Sequence, residues 1–217
     1  MNPDAPVTWS VVIPVKVLAR AKSRLTGLPA GDRAELVLAM AADTVSAAAA
    51  AATVERVLVV TDDPVVAAEV RAVGALVVAD EPAAGLNAAL EFGARQARDQ
   101  WPQQGVAALA ADLPALRPEE LVAALRGAAE AGRAFVPDAE GTGTTLYAAG
   151  PGEAFDPLFG ELSRARHRAA GLAELDLPGL SGLRRDVDTP ADLREAFALG
   201  TGSRTSVLIA RSGFTRH

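Results

Sequence analysis

The chain has 217 residues, 50% apolar and 22% charged, which is the balance of a folded globular protein able to bury a sizeable core and not that of a disordered one. A net charge of −6 argues against the broad basic face that nonspecific DNA or RNA binding needs, so no nucleic-acid partner is expected and any anion site must be local. With no cysteine and only His167 and His217, a disulfide, a thiolate nucleophile and a Cys-ligated zinc are excluded, and hard metals bound by carboxylates remain.

The amino terminus, Met1-Asn2-Pro3-Asp4-Ala5-Pro6, carries neither the basic nor the apolar region of an export signal, so a cytoplasmic protein is expected. The alanine-rich run at 38–54 is interrupted by Asp43, Thr44 and Ser46, and no other apolar run approaches the roughly 20 residues of a membrane span, so no membrane partner is expected. Short β-branched runs then alternate with longer helical patterns: strand 10–15, helix 32–52, strand 56–60, helix 64–73, strand 75–79, helix 86–100, strand 106–111 and helix 117–131. That alternation predicts parallel βαβ units. After Gly132 the segments 133–138 and 141–149 read as two strands joined by a glycine-containing turn, an antiparallel addition that gives a mixed, mostly parallel sheet flanked by helices. No Ser/Gly linker or internal repeat divides the chain, so one domain over 1–217 is expected, with its core at about 10–200. In the tail, Val207–Ala210 suggests a short strand and residues 211–217 a frayed end.

The first strand, Val11-Val12-Ile13-Pro14-Val15, runs into a loop bearing Lys16, Arg20, Lys22 and Arg24. In an open α/β sheet, ligands bind beyond the carboxyl ends of the strands, so four cations there suit a polyphosphate, although a solvated basic loop has the same composition. Neither Gly-x-Gly-x-x-Gly nor Gly-x-x-x-x-Gly-Lys-Ser/Thr is present, so phosphate would be held by side-chain cations, with Lys16 and Lys22 as point charges and Arg24 as a planar fork. The fourth parallel strand ends in Asp112-Leu113-Pro114, where a carboxylate is either a turn former or a ligand for magnesium, which takes one or two carboxylates and completes its shell with water and phosphate oxygens. Further on, Thr189, Pro190 and Asp192 are explained as N-cap, N1 and N3 of the last helix. Asp186 and Asp188 are not; two residues apart, they face one side of an extended segment and could meet Asp112 across the crevice. Gly141-Thr142-Gly143-Thr144-Thr145 reads as a hairpin turn, and Phe159–Arg168 mixes hydroxyl, glycine amide, arginines and His167, the donors that a small phosphorylated acid needs.

In this order, Pro14-Val15-Lys16, Ala21-Lys22-Ser23-Arg24-Leu25, Asp112-Leu113-Pro114, Gly141-Thr142-Gly143-Thr144, Ser163-x-Ala165-Arg166-His167 and Asp186-Val187-Asp188-Thr189-Pro190 resemble the 2-phospho-L-lactate/phosphoenolpyruvate guanylyltransferase family of deazaflavin coenzyme biosynthesis. The resemblance spans about residues 10–200 and has one notable departure, Ala111 where a glycine before Asp112 would be expected. It implies a Rossmann-like nucleotidyltransferase fold of the nucleotide-diphospho-sugar transferase type, akin to molybdenum-cofactor guanylyltransferases, with GTP as co-substrate, Mg2+ as cofactor and pyrophosphate as a product. Carried over by motif, Lys16, Lys22 and Arg24 would hold the GTP phosphates together with Pro14 and Val15, with Asn87 near the nucleoside. Asp112, Asp186 and Asp188 would hold the metal, and Thr144, Gly160, Ser163, Arg166 and His167 would bind the acid. Alanine- and arginine-rich composition suggests a bacterial source and hence phosphoenolpyruvate, with 2-phospho-L-lactate and 3-phosphoglycerate as alternatives and a downstream transferase as a further partner. A non-catalytic nucleotide binder on the same fold is the reading from a different class.

Overall fold

The computed structural model describes residues 6–16, 25, 30–81 and 83–212. β-branched residues favour extended backbone, and the first two such runs, Trp9–Pro14 (β1) and Val54–Val60 (β2), pair in parallel with Val11 opposite Val57 and Ile13 opposite Val59. Between them runs helix Ala30–Ala50 (α1). Pro64–Ala72 (α2) follows, with Asp63 capping it by accepting the Val65 and Val66 amides and Pro64 in the first turn, then Leu76–Val78 (β3). Leu86–Gln100 (α3), Gly105–Leu109 (β4) and Pro118–Ala131 (α4) complete the alternating half.

Arg133–Pro137 (β5) and Thr144–Ala149 (β6) form the expected hairpin, but β6 inserts between β4 and β5. The order is β3-β2-β1-β4-β6-β5-β7, with Ala173–Glu174 as β7 and β6 antiparallel to both neighbours. Ser163–Ala169 (α5), Ser181–Arg184 (α6), Pro190–Leu199 (α7) and Ser203–Ser212 (α8) follow in the carboxyl-terminal part.

The period of two along each strand divides the core between the two sheet faces. Val11, Ile13, Val57 and Leu109 face α1, α2 and α4 through Val45, Val66 and Leu121, while Val12, Leu58, Val60 and Ala108 face α3 through Leu90 and Ala94. Gly93 lets α3 approach closely, since a Cβ there would lie 2.6 Å from Val12 and 2.9 Å from Val60. A third cluster, containing Leu25, Leu36, Met40, Val187, Leu193 and Ile209, joins α1 to the carboxyl-terminal helices.

The strand expected at Val207–Ala210 is instead part of α8. Four apolar residues cannot distinguish a period of two from one of 3.6. Tertiary contacts decide for helix: Thr205 and Ile209, four apart, are both buried, and the Asp43 carboxylate of α1 accepts the Arg204 and Thr205 amides at 3.2 and 2.8 Å, capping α8. Arg211, expected to fray, lies in α8 and pairs with Glu35 at 3.3 Å, whereas 213–217 fall outside the described residues. Among the described residues no helix is long and apolar enough to cross a membrane.

Candidate active site

Strands β2 and β3 lie on one side of β1 and β4 on the other, so the sheet reverses its order between β1 and β4 and opens a crevice at their carboxyl ends. Because β6 is antiparallel, its first residue, Thr144, arrives at the same edge, as does Asp138 after β5. A cleft of about 1440 Å³ occupies this edge, larger than the 300–1,000 Å³ usual for one small ligand and with room for two substrates. Pro14, Val15, Lys16 and Asp112 line it as expected from their strand ends. The Val15 side chain is buried in the core and its N–H donates to Val60 O at 3.0 Å, so it offers a ligand little beyond its carbonyl.

Asp112 sits on a loop held from two sides. The buried Thr44 hydroxyl accepts the Leu113 amide at 3.1 Å and itself donates to Met40 O, while the Asp112 carbonyl accepts the Val187 amide at 3.1 Å. That last bond docks the second acidic segment against the end of β4. Val187 is fully buried in the third cluster, and Asp186 and Asp188 on either side of it both line the cleft, as their spacing predicts. The segment is fixed beyond Asp188 by the expected capping box: Thr189 accepts the Asp192 amide, and Asp192 Oδ2 accepts the Thr189 amide at 2.7 Å and the Asp188 amide at 3.1 Å.

The opposite wall holds Thr144, Gly160 and Ser163. Asp138 accepts the Thr142 and Gly143 amides at 2.9 and 2.8 Å, shaping the hairpin turn, and α5 docks on it through Arg164 N–H to Thr142 O. Gly160 has φ +114°, a conformation costly for a residue with a Cβ, and Leu162 enters α5 with φ +54° and its side chain exposed at the cleft. Beneath Thr144 lies His167, fully buried against Phe135, Tyr147 and Phe159, with ring centroids 5.3–5.7 Å away.

Burial, and secondarily the Arg166 charge, lowers the His167 pKa to about 4, so the imidazole is neutral at pH 7. An unfolded histidine has a pKa near 6.5, so as pH falls the unfolded chain takes up this proton first. The stability it represents is complete above about pH 6.5 and is lost towards pH 4, by up to about 3 kcal/mol. Denaturant unfolding at pH 7 and pH 4.5 should show this loss, and His167→Asn should flatten it. An unchanged pH slope in that variant would assign the loss to other groups.

Several expected site residues do not reach the cleft. His167, expected among the residues binding the acid, has both ring nitrogens engaged by the protein, Nδ1 with Thr144 Oγ1 at 2.9 Å and Nε2 with the Leu158 amide at 3.1 Å. Arg166 is exposed and gives its guanidinium to Phe159 O and Glu161 O. Asn87 is consumed by the Phe159 backbone, accepting its amide at 2.9 Å and donating to its carbonyl at 3.1 Å, and so braces the loop where a nucleoside contact was expected. Among the described residues no three His, Asp or Glu side chains converge on a metal position, so Asp112, Asp186 and Asp188 do not form a ready three-carboxylate cage. Lys22 and Arg24 lie outside the described residues. Conversely, Asp62 and Asp80, following β2 and β3, line the cleft unanticipated, with the Asp80 amide donating to Asp62 Oδ1 at 2.9 Å. The strand-end position that singled out Asp112 was the signal available for both.

A seven-stranded, mostly parallel sheet with a cleft at its switch point and acidic strand ends defines a nucleotidyltransferase-type α/β fold. A crystal structure from Desulfovibrio desulfuricans G20, named as a nucleotide-diphospho-sugar transferase, superposes with a TM-score of 0.73, covering 97% of this chain and 98% of that one; at 17% identity the likeness is one of fold. Within that class the chain belongs to the family described as "Guanylyl transferase CofC like", whose model matches residues 9–216. It is 59% identical to the phosphoenolpyruvate guanylyltransferase of Thermomonospora curvata, covering 96% of this chain and 91% of the relative. It is 58% identical to the protein of the same name from Streptomyces avermitilis, covering 94% of each.

Proposed function

We propose that this chain is a phosphoenolpyruvate guanylyltransferase. It joins GMP from GTP to phosphoenolpyruvate, giving enolpyruvyl-diphosphoguanosine and pyrophosphate in deazaflavin coenzyme biosynthesis. The observation that carries the reading is one cleft in which Lys16, Asp112 and Asp188 face Thr144, Gly160 and Ser163, in a chain so similar to relatives of that name.

The nucleophile is a phosphate oxygen of the acid, ionised at neutral pH, which attacks the α-phosphorus of GTP in line. The bond from the α-phosphorus to the bridging oxygen breaks, and that oxygen's electron pair leaves with pyrophosphate. No general base is needed, which agrees with a histidine that is buried, neutral and turned away. The protein's task is alignment and neutralisation of two anions. Lys16, with Lys22 and Arg24, binds the GTP phosphates, and Thr144, Gly160 and Ser163 hold the acid.

Among the described residues the charged lining of the cleft is mostly acidic, Lys16 standing beside Asp62, Asp80, Asp112, Asp138, Asp186 and Asp188, and such a wall favours a bound cation between it and two anionic substrates. Carboxylate oxygens suit magnesium, and Asp112 and Asp188 would hold it, with the phosphates completing its shell. Bound there, the ion would offset charge on the α-phosphate and the leaving pyrophosphate. We place the reaction in the cytoplasm, with a downstream transferase taking up the product.

The test is magnesium-dependent pyrophosphate release from GTP with phosphoenolpyruvate, 2-phospho-L-lactate or 3-phosphoglycerate, with the downstream transferase and its acceptor present. Release is expected with phosphoenolpyruvate. Release only with another acid would replace the acceptor, and silence with all three beside an active control enzyme would overturn the reading.

A further inference from the structure

His167 is removed from the cleft, yet it is wired to a residue that lines it. The ring nitrogen Nε2 receives the Leu158 backbone N–H at 3.1 Å. A backbone amide can only donate, so Nε2 carries no proton, and a neutral imidazole must then carry its proton on Nδ1. Nδ1 lies 2.9 Å from Thr144 Oγ1, so along this contact the ring donates and the threonine hydroxyl accepts. Rings on three sides, Phe135, Tyr147 and Phe159, hold the imidazole in place.

The consequence falls on Thr144, which is 8% exposed and lines the cleft. With the imidazole proton directed at its oxygen, its own proton cannot be given to His167. We infer that His167 is a positioning residue, locking the Thr144 hydroxyl as a hydrogen-bond donor towards the cleft and so selecting for an anionic oxygen of the phosphorylated acid at that point. An unconstrained hydroxyl rotates and serves donors and acceptors alike; this one is committed before substrate arrives, which reduces the ordering cost of binding. A substrate group that presents an N–H or O–H there would face a second donor and be disfavoured. The inference rests on the reading that the acid binds against Thr144.

Two measurements test it separately from that reading. With His217→Gln leaving His167 as the remaining histidine, a long-range proton–nitrogen NMR spectrum should show Nδ1 protonated and Nε2 bare at neutral pH. The opposite tautomer would overturn the inference in folded protein, whatever the kinetics. In steady-state assays Thr144→Val should raise KM for phosphoenolpyruvate about tenfold or more, the scale of a lost hydrogen bond to a charged group, with KM for GTP within twofold. His167→Phe should raise the same KM severalfold, but add less than twofold in the Thr144→Val background. His167→Asn, whose amide nitrogen can replace Nδ1 as donor, should recover most of the loss and remains informative should the phenylalanine variant fold poorly. An unchanged KM in Thr144→Val would sink the placement of the acid. A full-sized His167→Phe effect in the Thr144→Val background, or equal increases for both substrates, would leave that placement standing and overturn the role of His167.

Discussion

Asp112→Asn is expected to lower kcat for pyrophosphate release by about 100-fold or more while shifting the thermal midpoint by no more than roughly 2–3 °C. The two readouts separate because the carboxylate and the backbone of this residue have different tasks. The Asp112 carbonyl receives Val187 and the next amide is held by Thr44, two backbone anchors that an isosteric amide side chain leaves in place. What changes is charge. One unit of negative charge disappears from the wall that must hold a divalent cation against two phosphorylated substrates. Asp188→Asn should behave alike, since its amide, and not its carboxylate, is what the Asp192 cap engages. Steady-state assays at saturating magnesium, paired with thermal unfolding, check both. Normal turnover in both variants would remove the metal from these residues.

The parts of this site legible in the sequence were those governed by local periodicity. Asp112 could be named because a short apolar run ends just before it, and a strand end in a parallel sheet is a ligand position. Asp186 and Asp188 could be paired because alternation around Val187 puts them on one side. The Thr189–Asp192 cap was readable because a capping box is a four-residue event. The side-chain directions of other expected residues have a different origin. Arg166 and His167 are neighbours in sequence but lie about 100° apart around α5. Ser163 and His167, four apart, share its buried face, whereas Arg166 turns to solvent and the Phe159 loop. Composition placed three polar residues in one short helix; only packing against Phe135 and Tyr147 decides which face points inwards. The bracing of the loop by Asn87 is not legible locally either, because its partner, Phe159, lies 72 residues away. The α8 helix escaped notice because its cap, Asp43, lies in another helix more than 160 residues earlier.

Gly182→Ala is expected to cost about 3 kcal/mol in denaturant unfolding and to lower the thermal midpoint by roughly 6–12 °C. Glycine is required here by closeness, not by backbone angle: an added Cβ would overlap the Ala115 carbonyl oxygen and come within 2.6 Å of Glu120 Oε2. Neither neighbour can easily withdraw. Glu120 is buried and shared, Oε1 accepting the Gly182 amide at 3.0 Å and Oε2 the Arg117 amide at 3.2 Å at the start of α4, so moving it would uncap one helix to accommodate another. Ala115 is itself buried and follows the Asp112-Leu113-Pro114 turn. The remaining relief is for α6 to shift, and α6 leads within a few residues into Asp186 and Asp188. The variant should therefore lose turnover even well below its own midpoint, a deficit that protein merely less stable would not show. Assays at 15 °C below the variant's midpoint distinguish the two cases. Full activity there would mean that α6 can move without carrying the acidic segment with it, and that Val187 on the Asp112 carbonyl and the Asp192 cap behind Asp188 hold those carboxylates in the cleft.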